Sequence, residues 1–155
     1  MTRSVPNTKA TTQIFARSTA KLLHRATYVM DKAVDRALQD SVGISLSQFL
    51  LLMQLDGGKQ CQRELASELG VTAAAISRQV GTMLERGWLK RLDNQDDRRY
   101  EFLVLTPKGK RVHEEAVAVI ESVLAECYEG VTESQQRAIY AALTKLIQCY
   151  ERPRI

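Results

Sequence analysis

Apolar residues recur along the first part of the chain at helical spacing. Phe15, Leu22, Ala26, Val29, Met30, Ala33 and Ala37 fall on one stripe, with polar residues between them. That period predicts a long helix over about 12–39, a stretch that neither proline nor glycine interrupts. A second helix is predicted from Ser45, where Ser45 and Gln48 have the spacing of a capping box, through Phe49, Leu52, Met53 and Leu55 to the Gly57-Gly58 pair. Two short helices follow, over about 62–69 and 73–86. In the turn between them Gly70 supplies a left-handed residue and Thr72 a cap for the next helix.

After Gly87 the pattern changes. Residues 88–92 and 100–105 read as two short β-strands flanking the polar tip 93–99, a hairpin with a charged loop. Thr106 and Pro107 then open a helix whose stripe is Val112, Ala116, Val119, Ile120, Val123, Leu124 and Cys127, ended by Gly130. A last helix starts at the Thr132/Gln135 capping box and carries Ile139, Leu143, Leu146, Ile147 and Tyr150 in register until Pro153.

The informative stretch is QRELASELGVTAAAISRQVG, residues 62–81. Two short helices cross at a steep angle when the contact residue on the first is small, the turn tolerates positive φ, and the second offers an aliphatic residue to the crossing. Ala66, Gly70 and Ile76 meet those needs in order, with Leu65, Leu69 and Val80 beneath them. On the second helix Ile76, Val80 and Leu84 are expected to face inward. A helix-turn-helix followed at once by a two-stranded wing with a basic tip is a winged helix, whose second helix enters the major groove of DNA while the wing reaches phosphates or the minor groove.

Composition narrows the class further. With 155 residues, 45% hydrophobic and 26% charged, the chain has the make-up of one globular domain with attached helices. Three cysteines without a CxxC pair argue against a disulfide framework. The polar start shows no leader-like apolar run, and no uninterrupted apolar stretch is long enough to span a bilayer, so no membrane partner and a cytoplasmic location are expected. His24 and His113 are too few for a metal site. No nucleophile-base ordering, HExxH or phosphate-cradling glycine loop is present, so neither an enzyme nor a cofactor is expected. The formal net charge of +4 is unevenly spread. Residues 59–111 hold eleven basic and seven acidic side chains, whereas 112–155 hold four basic and seven acidic. The basic part suits an anionic partner; the acidic end does not.

The chain resembles the MarR family of bacterial transcription regulators. The resemblance rests on RELASELGVTAAAISRQVGTMLERGWL and on DDRRYEFLVLTPKGK, in which Asp97, Arg99, Leu105, Thr106 and Gly109 match the family's wing signature. It implies a mainly α fold: a winged helix-turn-helix with a two-stranded β wing, plus long N- and C-terminal dimerisation helices. The corresponding segments are 1–40 for the N-terminal dimerisation helix, 41–106 for the DNA-binding region and 107–155 for the C-terminal dimerisation helices. Double-stranded DNA is the implied partner. Arg78 and Gln79 suit base reading, as arginine matches guanine and glutamine adenine in the major groove. Thr72, Ser77 and Thr82 present hydroxyls, and Ala73, Ala74 and Ala75 stand where the family commonly has polar residues, which shifts weight toward thymine methyls and DNA shape. Arg99 resembles the wing-tip arginine of the family, oriented by Asp97, with Arg98 and Lys90 on the backbone.

The apolar stripes at the two chain ends exceed what a winged helix covers, which predicts a two-fold homodimer and a pseudo-palindromic operator. The resemblance further implies a repressor released by a small aromatic or phenolic acid, for which Arg17, Lys21, His24, Tyr28, Met53 and His113 are candidate binding residues. Cys127 and Cys149 sit on apolar stripes and read as core residues. Two other readings stay open: a redox-responsive regulator acting through Cys61 at the start of the third helix, and a helical adaptor dimer that binds no DNA.

Overall fold

A computed structural model describes residues 8–93 and 101–151, and among them the chain forms six α-helices and three short strands. Helix α1 (Thr8–Ser41) is followed by α2 (Leu46–Asp56), strand β1 (Gln60–Cys61), α3 (Gln62–Glu68) and α4 (Ala73–Glu85). Strands β2 (Leu89–Asp93) and β3 (Glu101–Leu105) lead into α5 (Pro107–Cys127) and α6 (Glu133–Glu151). The fold is the mainly helical winged helix-turn-helix expected.

Local chemistry sets most of these boundaries. At the start of α2 the Gln48 N–H donates to Ser45 Oγ at 3.2 Å and the Ser45 N–H to Gln48 Oε1 at 3.0 Å, a complete capping box. Thr132 and Gln135 repeat that exchange before α6. Before α5 the Gly109 N–H donates to Thr106 Oγ1 at 3.0 Å. At α3 the Cys61 N–H donates to the Glu64 carboxylate at 2.8 Å. That bond and the Cys61 side chain hold the Glu64 carboxyl below its ordinary value of 4.5.

The sheet is antiparallel with strand order β1-β3-β2, running from the Leu89–Leu105 pair to the Asp93–Glu101 pair on one side and pairing Gln60 with Leu103 on the other. The wing was expected to be two-stranded. The third strand, two residues between a glycine pair and a helix start, is too short to carry an alternating pattern and exists because β3 offers it a free edge.

The chain divides into two compact units, up to Val123 and from Leu124. The core lies in the first. Leu38, Leu51, Leu52, Leu65, Ile76, Val80, Met83 and Leu103 are almost fully buried there, together with Trp88 and Ala116. Each large aliphatic or Met side chain so buried contributes about 1.5–3 kcal/mol. Two sequence expectations change. On α1 the buried residues are Val34 and Leu38, while Phe15, Leu22 and Val29 of the anticipated stripe are 71%, 68% and 55% exposed. Among the described side chains of this 34-residue helix, those of its last turns reach the core, so helical spacing marked a stripe without showing what covers it. On α4 the third inward residue is Met83, fully buried, with Leu84 half-buried at the edge.

In the second unit Ile139, Tyr140, Leu146 and Ile147 of α6 are exposed. Cys127 and Cys149 are exposed as well, and so are not the core residues expected from their stripes. No helix among the described residues is long and apolar enough to cross a membrane.

Candidate nucleic-acid interface

The α3–α4 turn is set by Gly70, whose φ of 63° lies in the left-handed region that a side chain disfavours. The Val71 N–H returns to the Ala66 carbonyl at 3.1 Å, closing the end of α3, and Thr72 Oγ1 accepts the Ala75 N–H at 3.2 Å, opening α4. With Ile76, Val80 and Met83 buried, rotation of α4 about its axis is largely decided. Thr72, Ala73, Ala74, Ser77 and Arg78 consequently lie together on the exposed side. Among the described residues no acidic side chain is paired with Arg78.

The other two residues expected on that surface are placed differently. Gln79 is half-buried, and its Nε2 donates to Ser47 Oγ on α2 at 2.7 Å, a bond at the surface that engages its amide within the chain. Thr82 is also half-buried and returns its hydroxyl to the Arg78 carbonyl at 3.3 Å. Neither engagement is visible as a period, because a helical wheel assigns faces and not partners.

Lys90 is exposed on β2. Beside it Arg91 and Glu101 pair across the β2–β3 ladder. Asp97, Arg98 and Arg99 lie outside the described residues. The base of the wing is pinned to α4 by contacts that the sequence did not announce. Arg86 Nη1 donates to the Gly43 carbonyl at 3.0 Å while its guanidinium lies 4.8 Å from the Trp88 ring centre. Lys108 Nζ donates to the Arg86 carbonyl at 2.8 Å, and Thr106 Oγ1 to the Gly87 carbonyl at 2.7 Å. A tryptophan one residue after the helix-ending Gly87 was the available signal for the stacked arginine.

The six candidate ligand residues are not gathered into one site. Arg17, Lys21, His24 and Tyr28 follow one another on one face of α1 and are exposed. Of the six, only Tyr28 lines the groove of about 830 Å³ beside α1 and α2, where Lys32, Asp35, Arg36, Ser47 and Leu50 also lie. Lys32 Nζ sits 5.3 Å from the Tyr28 ring centre. Asp35 spans the two helices, accepting the Leu46 N–H at 2.7 Å and the Gln39 side chain at 2.7 Å. Met53 is exposed on α2. His113 is used in packing: its ring stacks on Phe49 with centres 5.7 Å apart, and its Nδ1 lies 3.9 Å from Asp56. Cys61, the candidate for a redox role, is a free cysteine, 8% exposed, at the start of α3. No cluster of three or more potential metal ligands occurs among the described residues.

A family model described as MarR family matches residues 42–99, the span from the end of α1 into the wing. The HTH-type transcriptional regulator YhbI of Bacillus subtilis is 28% identical over 133 residues, covering 83% of this chain and 86% of that one. The multiple antibiotic resistance protein MarR of Salmonella typhimurium is 31% identical over 97 residues, covering 60% of this chain and 67% of that one. Among solved structures, a mutant MarR from E. coli complexed with operator DNA superposes with a TM-score of 0.73 over 82% of this chain and 91% of that one, at 22% identity, a likeness of fold.

Proposed function

The chain belongs to the MarR family and is a transcriptional regulator, and on that premise we propose that it binds duplex DNA as a homodimer, placing one α4 in the major groove of each half-site. The observation that carries this reading is the outward set on α4: Thr72, Ala73, Ala74, Ser77 and Arg78 are exposed together on a helix whose opposite face is locked in the core. The solved relative bound to operator DNA supports it by fold. In this reading Arg78 reads a base, Thr72 and Ser77 position the backbone, Lys90 and Arg98 meet the flanking phosphates, and Arg99, oriented by Asp97, enters the minor groove.

A second copy covers the exposed apolar residues of α1 and of α6, which no part of this chain buries among the described residues. Two copies related by a two-fold axis make the operator a pseudo-palindrome with half-sites about one helical turn apart. The regulator acts as a repressor, and an aromatic acid entering the groove of Tyr28, Lys32 and Arg36 lowers its DNA affinity. Tenfold release requires about 1.4 kcal/mol of preference for the DNA-free form.

The test is selection of randomised duplexes followed by salt titration on the preferred sequence. Expected are a palindromic consensus and an affinity that falls steeply with salt. Arg78→Ala relaxes preference at one base position per half-site, and Arg99→Ala reduces the salt slope by about one unit. A salt-independent affinity that Arg99→Ala leaves unchanged would instead favour the adaptor reading. A thermal-shift screen of aromatic acids, repeated on Tyr28→Ala, tests the groove.

A further inference from the structure

We propose that Gln79 and Ser47 form a positioning pair that fixes the setting of α4 against α2, and that Gln79 orients the recognition helix without reading a base. The inference rests on the DNA-binding reading above and assigns two residues within it. Gln79 Nε2 donates to Ser47 Oγ at 2.7 Å, joining positions 32 residues apart in sequence. Gln79 is half-buried, whereas its neighbours Ser77 and Arg78 and its partner Ser47 are exposed, so the tie lies at the surface where α4 meets the start of α2.

The contact matters because of what surrounds it. The face of α4 that meets the core is apolar at Ile76, Val80 and Met83, and apolar contact is non-directional. It sets the rotation of α4 coarsely and leaves the fine definition to other contacts. Directional bonds supply that definition. Two polar ties reach from this part of the chain to the α1–α2 region: Gln79 to Ser47 midway along α4, and Arg86 to the Gly43 carbonyl at 3.0 Å just beyond its end. The receiving end is itself braced. Ser47 Oγ lies 3.0 Å from Ser45 Oγ, the cap hydroxyl of α2, and the adjoining Leu46 N–H is held by Asp35 of α1 at 2.7 Å. The first turn of α2 is therefore fixed from the α1 side and fixes α4 on the other.

Base reading by Arg78, one residue before Gln79, tolerates an error of about 0.5 Å or 10–20° in side-chain placement. Loss of the tie frees α4 to rotate by such amounts, which weakens every contact of its outward face together. A base reader behaves otherwise, since its removal affects one base pair.

The experiment compares the full chain with Ser47→Ala, Gln79→Ala, the double substitution and Ser47→Thr, each measured on the preferred duplex and on single-base variants of it. Each alanine substitution is expected to lower affinity about threefold to tenfold, the double no further than either alone, with preference reduced to the same extent by Ser47→Ala and Gln79→Ala at every position that α4 reads. Ser47→Thr, which keeps the hydroxyl, restores wild-type affinity. A Gln79→Ala protein that relaxes one base position while Ser47→Ala is silent overturns the proposal, as do losses that add. If the unmodified chain selects no sequence at all, the DNA-binding reading falls and this inference with it.

Discussion

Two helical glycines make opposite predictions when changed to alanine. In α5 a Cβ built on Gly109 lies 2.1 Å from the Trp88 carbonyl oxygen and 2.9 Å from its carbon, where ordinary contact begins at 3.4 Å. The obstacle is backbone and cannot swing aside. Its oxygen accepts the Thr106 N–H at 2.9 Å and the Thr106 hydroxyl at 3.2 Å, so moving Trp88 far enough breaks both bonds or levers the start of α5 off the wing. Overpacking of this kind costs about 1–3 kcal/mol and each lost bond about 1 kcal/mol, offset by the better helix propensity of alanine at up to about 1 kcal/mol. The net expectation for Gly109→Ala is a loss of about 2–4 kcal/mol, or a melting temperature lower by about 5–15 °C for a chain of this size. In α4, by contrast, nothing lies within 4 Å of a Cβ on Gly81. Gly81→Ala should raise stability by about 0.5–1 kcal/mol and the melting temperature by a few degrees. Thermal and urea unfolding followed by far-UV circular dichroism, at one fixed protein concentration, reads both. A Gly109→Ala protein that melts with the wild type refutes the close packing of α5 on Trp88.

Other substitutions probe the remaining joints. Asp35→Ala removes the acceptor for both the Leu46 N–H and the Gln39 side chain, and urea unfolding should show a loss of about 1–2 kcal/mol; Asp35→Asn, which keeps one acceptor oxygen, should lose less. Because the folded-state pKa of Glu64 lies below its ordinary value of 4.5, its charged form stabilises the fold above that pH, and the benefit fades as pH falls through the lowered value. The stability gap between wild type and Glu64→Gln should therefore be full at neutral pH and close in acid; a gap that widens in acid refutes the assignment. Leu22→Glu combined with Val29→Glu places charge on an exposed apolar face of α1, and light scattering should show a shift from dimer to monomer with the winged-helix circular dichroism retained.

What the sequence made legible was mostly local. Ser45 with Gln48, Thr132 with Gln135, Gly70 and Thr72 each act within a few residues of themselves, so their spacing already encodes the bond they make. Distant pairings were not legible. Gln79 meets Ser47 across 32 residues and Arg86 meets Gly43 across 43, and nothing in either neighbourhood signals the other. Met83 and Leu84 are consecutive and about 100° apart on the helical wheel, and both flank the Ile76–Val80 stripe, so the apolar pattern alone does not say which of them closes the core; Met83 does, with Leu84 at its edge. The α1 stripe shows a different limit. Its period is real, but periodicity records that a face is apolar, not whether this chain or another one buries it.

The make-up of α4 also constrains how the proposed complex divides its work. Within Ala73–Glu85 the sole basic side chain is Arg78, against the acidic Glu85, and the first turn is Ala73-Ala74-Ala75. Such a helix can neutralise few phosphates. Each phosphate neutralised adds about 0.9 to the salt slope, so most of a steep slope has to come from Lys90 and the wing, where Arg98 and Arg99 follow one another in sequence. Alanines at the entry of the major groove offer methyl groups to thymine and allow close approach, but give no donor or acceptor to a base edge. Discrimination at those positions then depends on thymine methyls and on the deformability of the duplex, while hydrogen-bonded reading is concentrated at Arg78. A helix with a single reading arginine depends more than most on being held at one rotation, and the tie from Gln79 to Ser47 stands one residue away from it.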